Sequence, residues 1–384
     1  MTALAAGAAA SPPTDARARF VHEVAHGWEA VAEAWRGGQA GTTFQGEPWL
    51  AAWYGALGAR PDCEPLLVTL RDGGGRLAAH LPLVRFREGG RRVVEFADLA
   101  LTDYNGPLLG PAAPADPAEA AALWRALARS VRPADLVRLR KMPPTLNGRP
   151  NPLALVTGAT PCAANGNLIR VGDDYDSWRH TLVRHVRMDL ERSWRVFARQ
   201  PGTRFARIAD RAEAHRLLAA MEAQQAERMR ELGADYALDT PFAMAFYRGL
   251  IDRGLERGFT VLTGLFSGDE VVGGCLGVRD GSTTIIIRLT NAAGAWSNCS
   301  PGRLVLERTM HLLHGEGART FDFSIGNQDY KRRFGVEPTP LVDLVRATGL
   351  RGLAAQARAS VAGGLRAHPA LDRAARAALA TIGR

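Results

Sequence analysis

The chain has 384 residues, 46% of them hydrophobic, enough for two cores of about 150 to 180 residues each. Its formal net charge of +9 raises a nucleic-acid reading, yet residues 179–204 and 351–384 carry net +5 each without interleaved aromatics, so both read as solvated helix faces, with an anionic cofactor or a membrane surface as the alternative partner. No run of about 18 apolar residues supplies a spanning helix, and the scattered Cys63, Cys162, Cys275 and Cys299, without a C-x-x-C, exclude a disulfide framework or a thiolate metal site and fit a soluble protein of the reducing cytoplasm.

In chain order, residues 1–16 are Ala-rich, with neither a basic start nor a long Leu/Val/Ile core, and are expected to be a disordered leader rather than a signal peptide. Strand-like runs at 65–70, 77–86 and 92–96 are joined through the turn signals Asp72-Gly-Gly-Gly75 and Gly89-Gly90. A helix at 118–131 and a strand at 136–139 follow. Pro143, Pro144, Asn147-Gly148, Pro150, Asn151-Pro152 and Pro161 place a boundary within 145–175. The strand at 167–171 is expected to complete the first sheet before a basic helix at 177–198 bridges onward. Helices at 212–232 and 242–257 lead to a second meander at 259–266, 271–278 and 284–290, with turns at Ser267-Gly-Asp269 and Asp280-Gly-Ser282. A helix at 302–314 and a strand at 320–325 close it. The repeated order of meander, helix and strand predicts an α+β fold of two tandem modules, residues 17–175 and 176–349, with mixed, mostly antiparallel sheets flanked by helices. The remainder, 350–384, has helical spacing broken by Gly363-Gly364 and Pro369; it reads as an Arg-rich packing or surface helix, with peripheral membrane contact as the alternative.

Of the 48 Lys and Arg residues only Lys141 and Lys331 are lysine, and Lys331 lies in Phe321-Asp-Phe-Ser-Ile-Gly-Asn-Gln-Asp-Tyr-Lys-Arg-Arg-Phe-Gly335. A lysine kept in so arginine-rich a chain points to a need for a compact ammonium, so residues 322–335 are the expected functional centre. With Phe44-Gln-Gly-Glu-Pro-Trp-Leu-Ala-Ala-Trp53, Thr102-Asp-Tyr-Asn-Gly-Pro-Leu108, Gln225-Ala-Glu-Arg228 and Ser300-Pro-Gly302, this segment resembles the CelD/BcsL-type acyltransferases of the GNAT superfamily, which are related to the FemAB-type aminoacyl transferases. The resemblance covers residues 40–347 in the family's order. It implies two GNAT-like modules, the second binding acetyl-CoA or a longer acyl-CoA as co-substrate. The acyl group passes by direct attack to an amine or hydroxyl, in exopolysaccharide or cellulose biosynthesis. Sugar, amino-acid and lipid-linked acceptors stay open.

Such transfer needs a phosphate site, a polarised carbonyl, a base and an acid. Ser300, Gly302 and Arg303, at a helix start between a strand and residues 302–314, are the expected pyrophosphate site. Their glycine pattern is sparser than the GNAT phosphate loop, and Ser-Pro-Gly is also an ordinary helix entry. Arg288, amid Ile285-Ile286-Ile287 and Leu289, is either a second cofactor contact or an outward-facing strand residue. The resemblance places Tyr330 toward the thioester as acid; a ring packed in the fold is the alternative. Lys331 is read as neutralising phosphate or an acceptor carboxylate. Asp322 and Ser324 alternate with Phe321, Phe323 and Ile325, so Asp322 is either the base or a structural Asp bonded to backbone. Glu222 and Glu227 share a helix with Arg228, and Glu227 and Arg228 are placed at the acceptor. Asp103 and Tyr104 are the first module's acceptor candidates, ahead of Trp49, Trp53 and Tyr54, and Lys141 stands at the position matching Lys331.

Weaker constellations are set aside. His22 with His26 and His311 with His314 have helical spacings but lack a third ligand, so no metal is expected. Cys299 has no apparent base, and Gly73-Gly-Gly75 reads as a hairpin turn. Two rivals remain: a FemAB-like transferase using aminoacyl-tRNA, with RNA on the basic helices, and a non-catalytic scaffold of a membrane-associated polysaccharide synthesis complex.

Overall fold

The computed structural model describes residues 19–35, 40–235, 240–326 and 328–367. The expected leader and the end of the expected tail lie outside them. The first sheet starts from the meander β1 (Phe20–Ala25), β2 (Cys63–Asp72), β3 (Leu77–Glu88) and β4 (Arg91–Phe96), with α1 (Ala32–Trp35) and α2 (Glu47–Ala56) between β1 and β2. The β2–β3 turn forms because Asp72 Oδ1 accepts the amides of Gly74 at 3.0 Å and Arg76 at 2.9 Å while Gly75 takes φ +79°. The short β5 (Leu108–Leu109) pairs with β3. Asp116 then caps α3 (Pro117–Ser130), accepting the amides of Ala118 and Glu119. β6 (Leu136–Met142) returns parallel to β4. A small hairpin, β7 (Thr145–Leu146) with β8 (Arg149–Pro150), precedes β9 (Ala159–Pro161).

β10 (Gly166–Arg170) then leaves this sheet for the second one. The helices α4 (Tyr175–Thr181) and α5 (Arg184–Ala198), the strand β11 (Thr203–Ile208) and the helices α6 (Arg211–Glu231) and α7 (Pro241–Gly254) lead into the meander β12 (Thr260–Ser267), β13 (Glu270–Asp280) and β14 (Thr283–Asn291). Next come α8 (Pro301–Gly315), β15 (Thr320–Asp322), α9 (Asp329–Arg333), β16 (Glu337–Thr339), β17 (Val342–Ala347) and α10 (Leu353–Ala367). The first sheet runs β1-β2-β3-β4-β6-β17-β9 and the second β11-β12-β13-β14-β15-β10-β16.

Each sheet therefore contains a strand from the other half of the chain. β10 pairs antiparallel with β15 on one side and β16 on the other, and β17 takes the matching place between β6 and β9. This corrects the expectation that residues 167–171 complete the first sheet and that the modules divide at 175. The first module is built from 20–161 and 342–367, the second from 166–339. The physical reason is that a strand's own residues specify burial and alternation but not which edge they join.

Each module has a core of its own, and a third core spans the two. Trp49 and Trp53 of α2, both fully buried, meet Phe246 and Phe242 of α7 edge-to-face, with centroids 4.8 and 5.4 Å apart. At about 25 cal/mol per Å² over about 200 Å², each indole contributes roughly 5 kcal/mol of burial. These tryptophans hold the two halves together and do not line an acceptor pocket. His22 lies on β1 rather than on the helix its spacing with His26 suggested.

Candidate active site

β14 and β15 run parallel only where residues 283–285 pair with 320–322, and β14 then continues alone to Asn291. On its other side Arg288 pairs with Leu276 and Ile286 with Gly277, so Ile287 stands opposite no residue, a bulge that turns the strand. The divergence opens a cleft of about 940 Å³. One wall is residues 286–291 of β14. The start of α8 closes one end, and the loop after β15 with Tyr330 and Lys331 forms another wall. Gln225 and Arg228 of α6 and Asp103 of the first module complete it.

At the start of α8, Ser300 adopts φ 47°, ψ 59°, Pro301 occupies the first turn, and Ser300 makes no side-chain cap. A Cβ at Gly302 would lie 2.7 Å from Asn291 Oδ1, so a larger residue there would displace the Asn291 side chain at the end of β14. Arg303 Nη2 donates to Ser300 Oγ at 2.7 Å. Its Nη1 is buried without a hydrogen-bond partner, Asp189 being 3.9 Å away. Burial, then the Arg333 charge, lowers the Arg303 pKa. A helix N-terminus with a buried, unsatisfied guanidinium nitrogen is suited to an anionic group.

At the opposite end the two modules meet in a polar chain. Tyr104 OH donates to Asp322 Oδ1 at 2.7 Å, and Ser324 N donates to the same oxygen at 2.6 Å. Ser324 Oγ donates to Asp103 Oδ2. Ser324 holds φ +62°, a left-handed conformation costly for a residue with a Cβ. Its carbonyl is secured by Asn167 Nδ2 at 2.7 Å, which also reaches Gly326 O at 2.9 Å. Lys331 Nζ donates to Ile325 O at 2.5 Å and Ser324 O at 3.4 Å. Burial raises Asp322 to about 6 against the hydrogen bonds it accepts, raises Asp103 and lowers Lys331 to about 8. Burial also raises Tyr330 to about 12; its ring lies against Phe323, with centroids 6.4 Å apart.

Of the residues singled out in the sequence, Asp103, Arg228, Arg288, Ser300, Gly302, Arg303, Tyr330 and Lys331 line this one cleft. Asp322 and Tyr104 stand behind Asp103 and Ser324 rather than on the wall. Arg288 is buried, paired with Glu222 and stacked over the Tyr247 ring at 4.6 Å, so the expectation of an outward-facing arginine does not hold. Glu227 lies off the cleft, beside a separate cavity of about 420 Å³, and is paired with Arg230. Lys331 is committed to backbone carbonyls. Cys299 is fully buried, and burial raises its thiol, which leaves no thiolate for nucleophilic work. Among the described residues no group of three His, Cys, Asp or Glu side chains is placed to hold a metal.

Gly166 and Asn167 escaped the sequence reading because their strand was assigned to the other sheet. A Cβ at Gly166 would lie 2.4 Å from the Tyr104 hydroxyl, so this glycine gives Tyr104 its passage to Asp322.

Residues 184–332 match the family described as Acetyltransferase (GNAT) domain. Among solved structures, FemX is similar with a TM-score of 0.54 at 10% identity, over 83% of this chain and 96% of that one. L-PGS from Bacillus licheniformis is similar with a TM-score of 0.50 at 11% identity, over 87% and 96%. A tandem GNAT protein from the clavulanic acid biosynthesis pathway gives 0.48 at 13% identity, over 86% and 98%. No curated protein matches the chain in sequence. The fold is α+β, two tandem GNAT-like modules whose mixed sheets are flanked by helices. No helix among the described residues is long and apolar enough to cross a membrane.

Proposed function

We propose that the second-module cleft transfers an acyl group from acyl-CoA to an amine or hydroxyl, with the first module supplying the base. The observation that carries this reading is the divergence of β14 from β15, with a helix start at one end and a carboxylate facing a phenol's wall at the other. The residues present fit the co-substrate. The Gly302 amide at the start of α8, with Arg303 Nη1 lacking a hydrogen-bond partner, would hold the pyrophosphate. Backbone amides at the bulge around Ile287 would polarise the thioester carbonyl.

Asp103 is assigned as the base, since its carboxylate lines the cleft whereas both Tyr104 and Ser324 occupy Asp322 Oδ1. As the acceptor nitrogen or oxygen bonds to the acyl carbon, its proton passes to Asp103. As the carbon–sulfur bond breaks, Tyr330 gives its proton to the departing sulfur, and solvent returns a proton from Asp103 to Tyr330. Asp322, Tyr104 and Lys331 are positioning residues: they hold Ser324 in its left-handed conformation and so orient Asp103. The CelD/BcsL-type resemblance keeps saccharides among the acceptors and exopolysaccharide synthesis as the setting.

Calorimetric titration with acetyl-CoA, a medium-chain acyl-CoA and free CoA tests the donor, alongside Arg303→Glu. Saturable binding lost in the variant is the expected result; no binding to any of the three would sink the reading. A second donor, aminoacyl-tRNA, is favoured by one observation. Arg184, Arg192 and Arg195 of α5, with Arg199 at its C-terminal cap, form an exposed stripe with no acidic partner among the described residues. That reading requires steeply salt-dependent RNA binding and no CoA affinity.

A further inference from the structure

The cations around the cleft differ in what already occupies them. Arg288 is taken by Glu222 and by the Tyr247 ring. Lys331 is taken by two carbonyls, and Arg303 stands at the α8 end with Ser300. Arg228 lines the cleft with its side chain exposed and without a hydrogen bond or ion pair among the described residues. The adjacent Glu227 is held by Arg230. Gln225 lies one turn earlier on the same face of α6, also lines the cleft, and leaves its carboxamide unbonded among the described residues. The charge of Arg228 lowers the Tyr330 phenol against the larger effect of burial, so Arg228 acts within reach of the catalytic end.

On the strength of the acyl-transfer reading above, we infer that the acceptor is a small molecule bearing a carboxylate, held by Arg228 and Gln225 of α6 while its amine or hydroxyl faces Asp103. A guanidinium fork and an amide N–H₂ match the two oxygens of a carboxylate. The Asp103 wall favours a group that arrives with a proton to give up. The acceptor is thus recognised at two poles of opposite sign, the chemistry of an amino acid or a hydroxy acid. It is a specificity assignment for α6: the helix reads the acceptor, whereas α8 reads the donor.

The test measures thiol release from acetyl-CoA with glycine against glycinamide, 4-aminobutyrate against its amide, lactate against lactamide, and phosphoethanolamine, in the wild type and in Arg228→Gln. The expected result is a kcat/KM about 10- to 100-fold higher for the acid of at least one pair than for its amide. The variant should erase that preference while binding acetyl-CoA as the wild type does. Equal or better turnover of the amides, a preference that survives in Arg228→Gln, or no acceleration by any acid despite acetyl-CoA binding would overturn the inference. Phosphoethanolamine outrunning every carboxylate would overturn it too, and weaker acetyl-CoA binding in the variant would reassign Arg228 to the donor's phosphates. A wild type that binds no acetyl-CoA at all removes the acyl-transfer reading itself, and this inference with it.

Discussion

Each module ties down a loop with a lysine, and the two differ in what that lysine grips and in what stands in front of it. In the first, Lys141, at φ +59° on β6, donates to the Asp98 carboxylate at 2.8 Å and to Thr102 O at 2.5 Å. Trp49 and Trp53 close onto the same loop, their indoles donating to Thr102 Oγ1 at 3.2 Å and Asp98 O at 3.3 Å. In the second, Lys331 of α9 holds the loop after β15, but among the described residues no tryptophan lines the space before it, and the strands part around a cleft of about 940 Å³. A compact ammonium that ties down a loop is common to both halves, so rarity of lysine marks architecture here; chemistry follows from the space left open. The closed module still serves the open one. Its clamped loop, fastened further by Asn105 Nδ2 on Asp98 Oδ2 at 2.9 Å, carries Asp103 to the second module's cleft.

The comparison breaks first at Asp103. Asp103→Asn is expected to lower kcat/KM about 10²- to 10⁴-fold, as removal of a general base does, with acetyl-CoA affinity unchanged by calorimetry. Near-normal turnover would move the base back to the second module. The lysines come next. Lys141→Met strands a buried carboxylate and should cost about 3–5 kcal/mol in denaturant unfolding. Lys331→Met gives up carbonyl contacts alone and should cost about 1–3 kcal/mol. The reverse order would refute the claim that the first clamp is an ion pair and the second is not.

The smallest effect is in the pH profile. Burial raises the Asp103 carboxyl above its ordinary range, and raises Asp322, which accepts from Tyr104 and Ser324, to about 6. The rate therefore rises with pH above the ordinary carboxylate range, as Asp103 ionises to act as base. Lys331, depressed to about 8, gives up its charge as pH rises through that value and its bonds to the Ser324 and Ile325 carbonyls weaken, so the rate falls there, well below the Tyr330 titration near 12. Lys331→Met should flatten the alkaline fall; an unchanged fall would detach Lys331 from it.

Much of this arrangement was readable from local signals. Turn residues such as Asp72 and Gly75 announce the hairpins, and the order of meander, helix and strand recurs in both sheets because each element's periodicity is its own. The segment around Tyr330 and the start of α8 could likewise be picked out, since a helix entry and a strand end are short-range features. What was illegible depends on partners far apart in the chain. Tyr104 and Asp322 are 218 residues apart, and their contact exists only because β10 crosses to the second sheet and Gly166 leaves room for the hydroxyl. The pairing of Arg288 with Glu222, and the burial of Trp49 and Trp53 against α7, are likewise products of packing between elements whose residues give no sign of one another.

The central claim is that the donor occupies the second module while the first supplies the base. A crystal structure with acetyl-CoA tests it most directly. The account predicts the pyrophosphate on the Gly302 amide and the Arg303 guanidinium, the thioester carbonyl beside Ile287, and Asp103 facing the acyl carbon across an open acceptor space. Density for the donor against the first sheet near Trp49, or a thioester out of reach of Asp103, would contradict it.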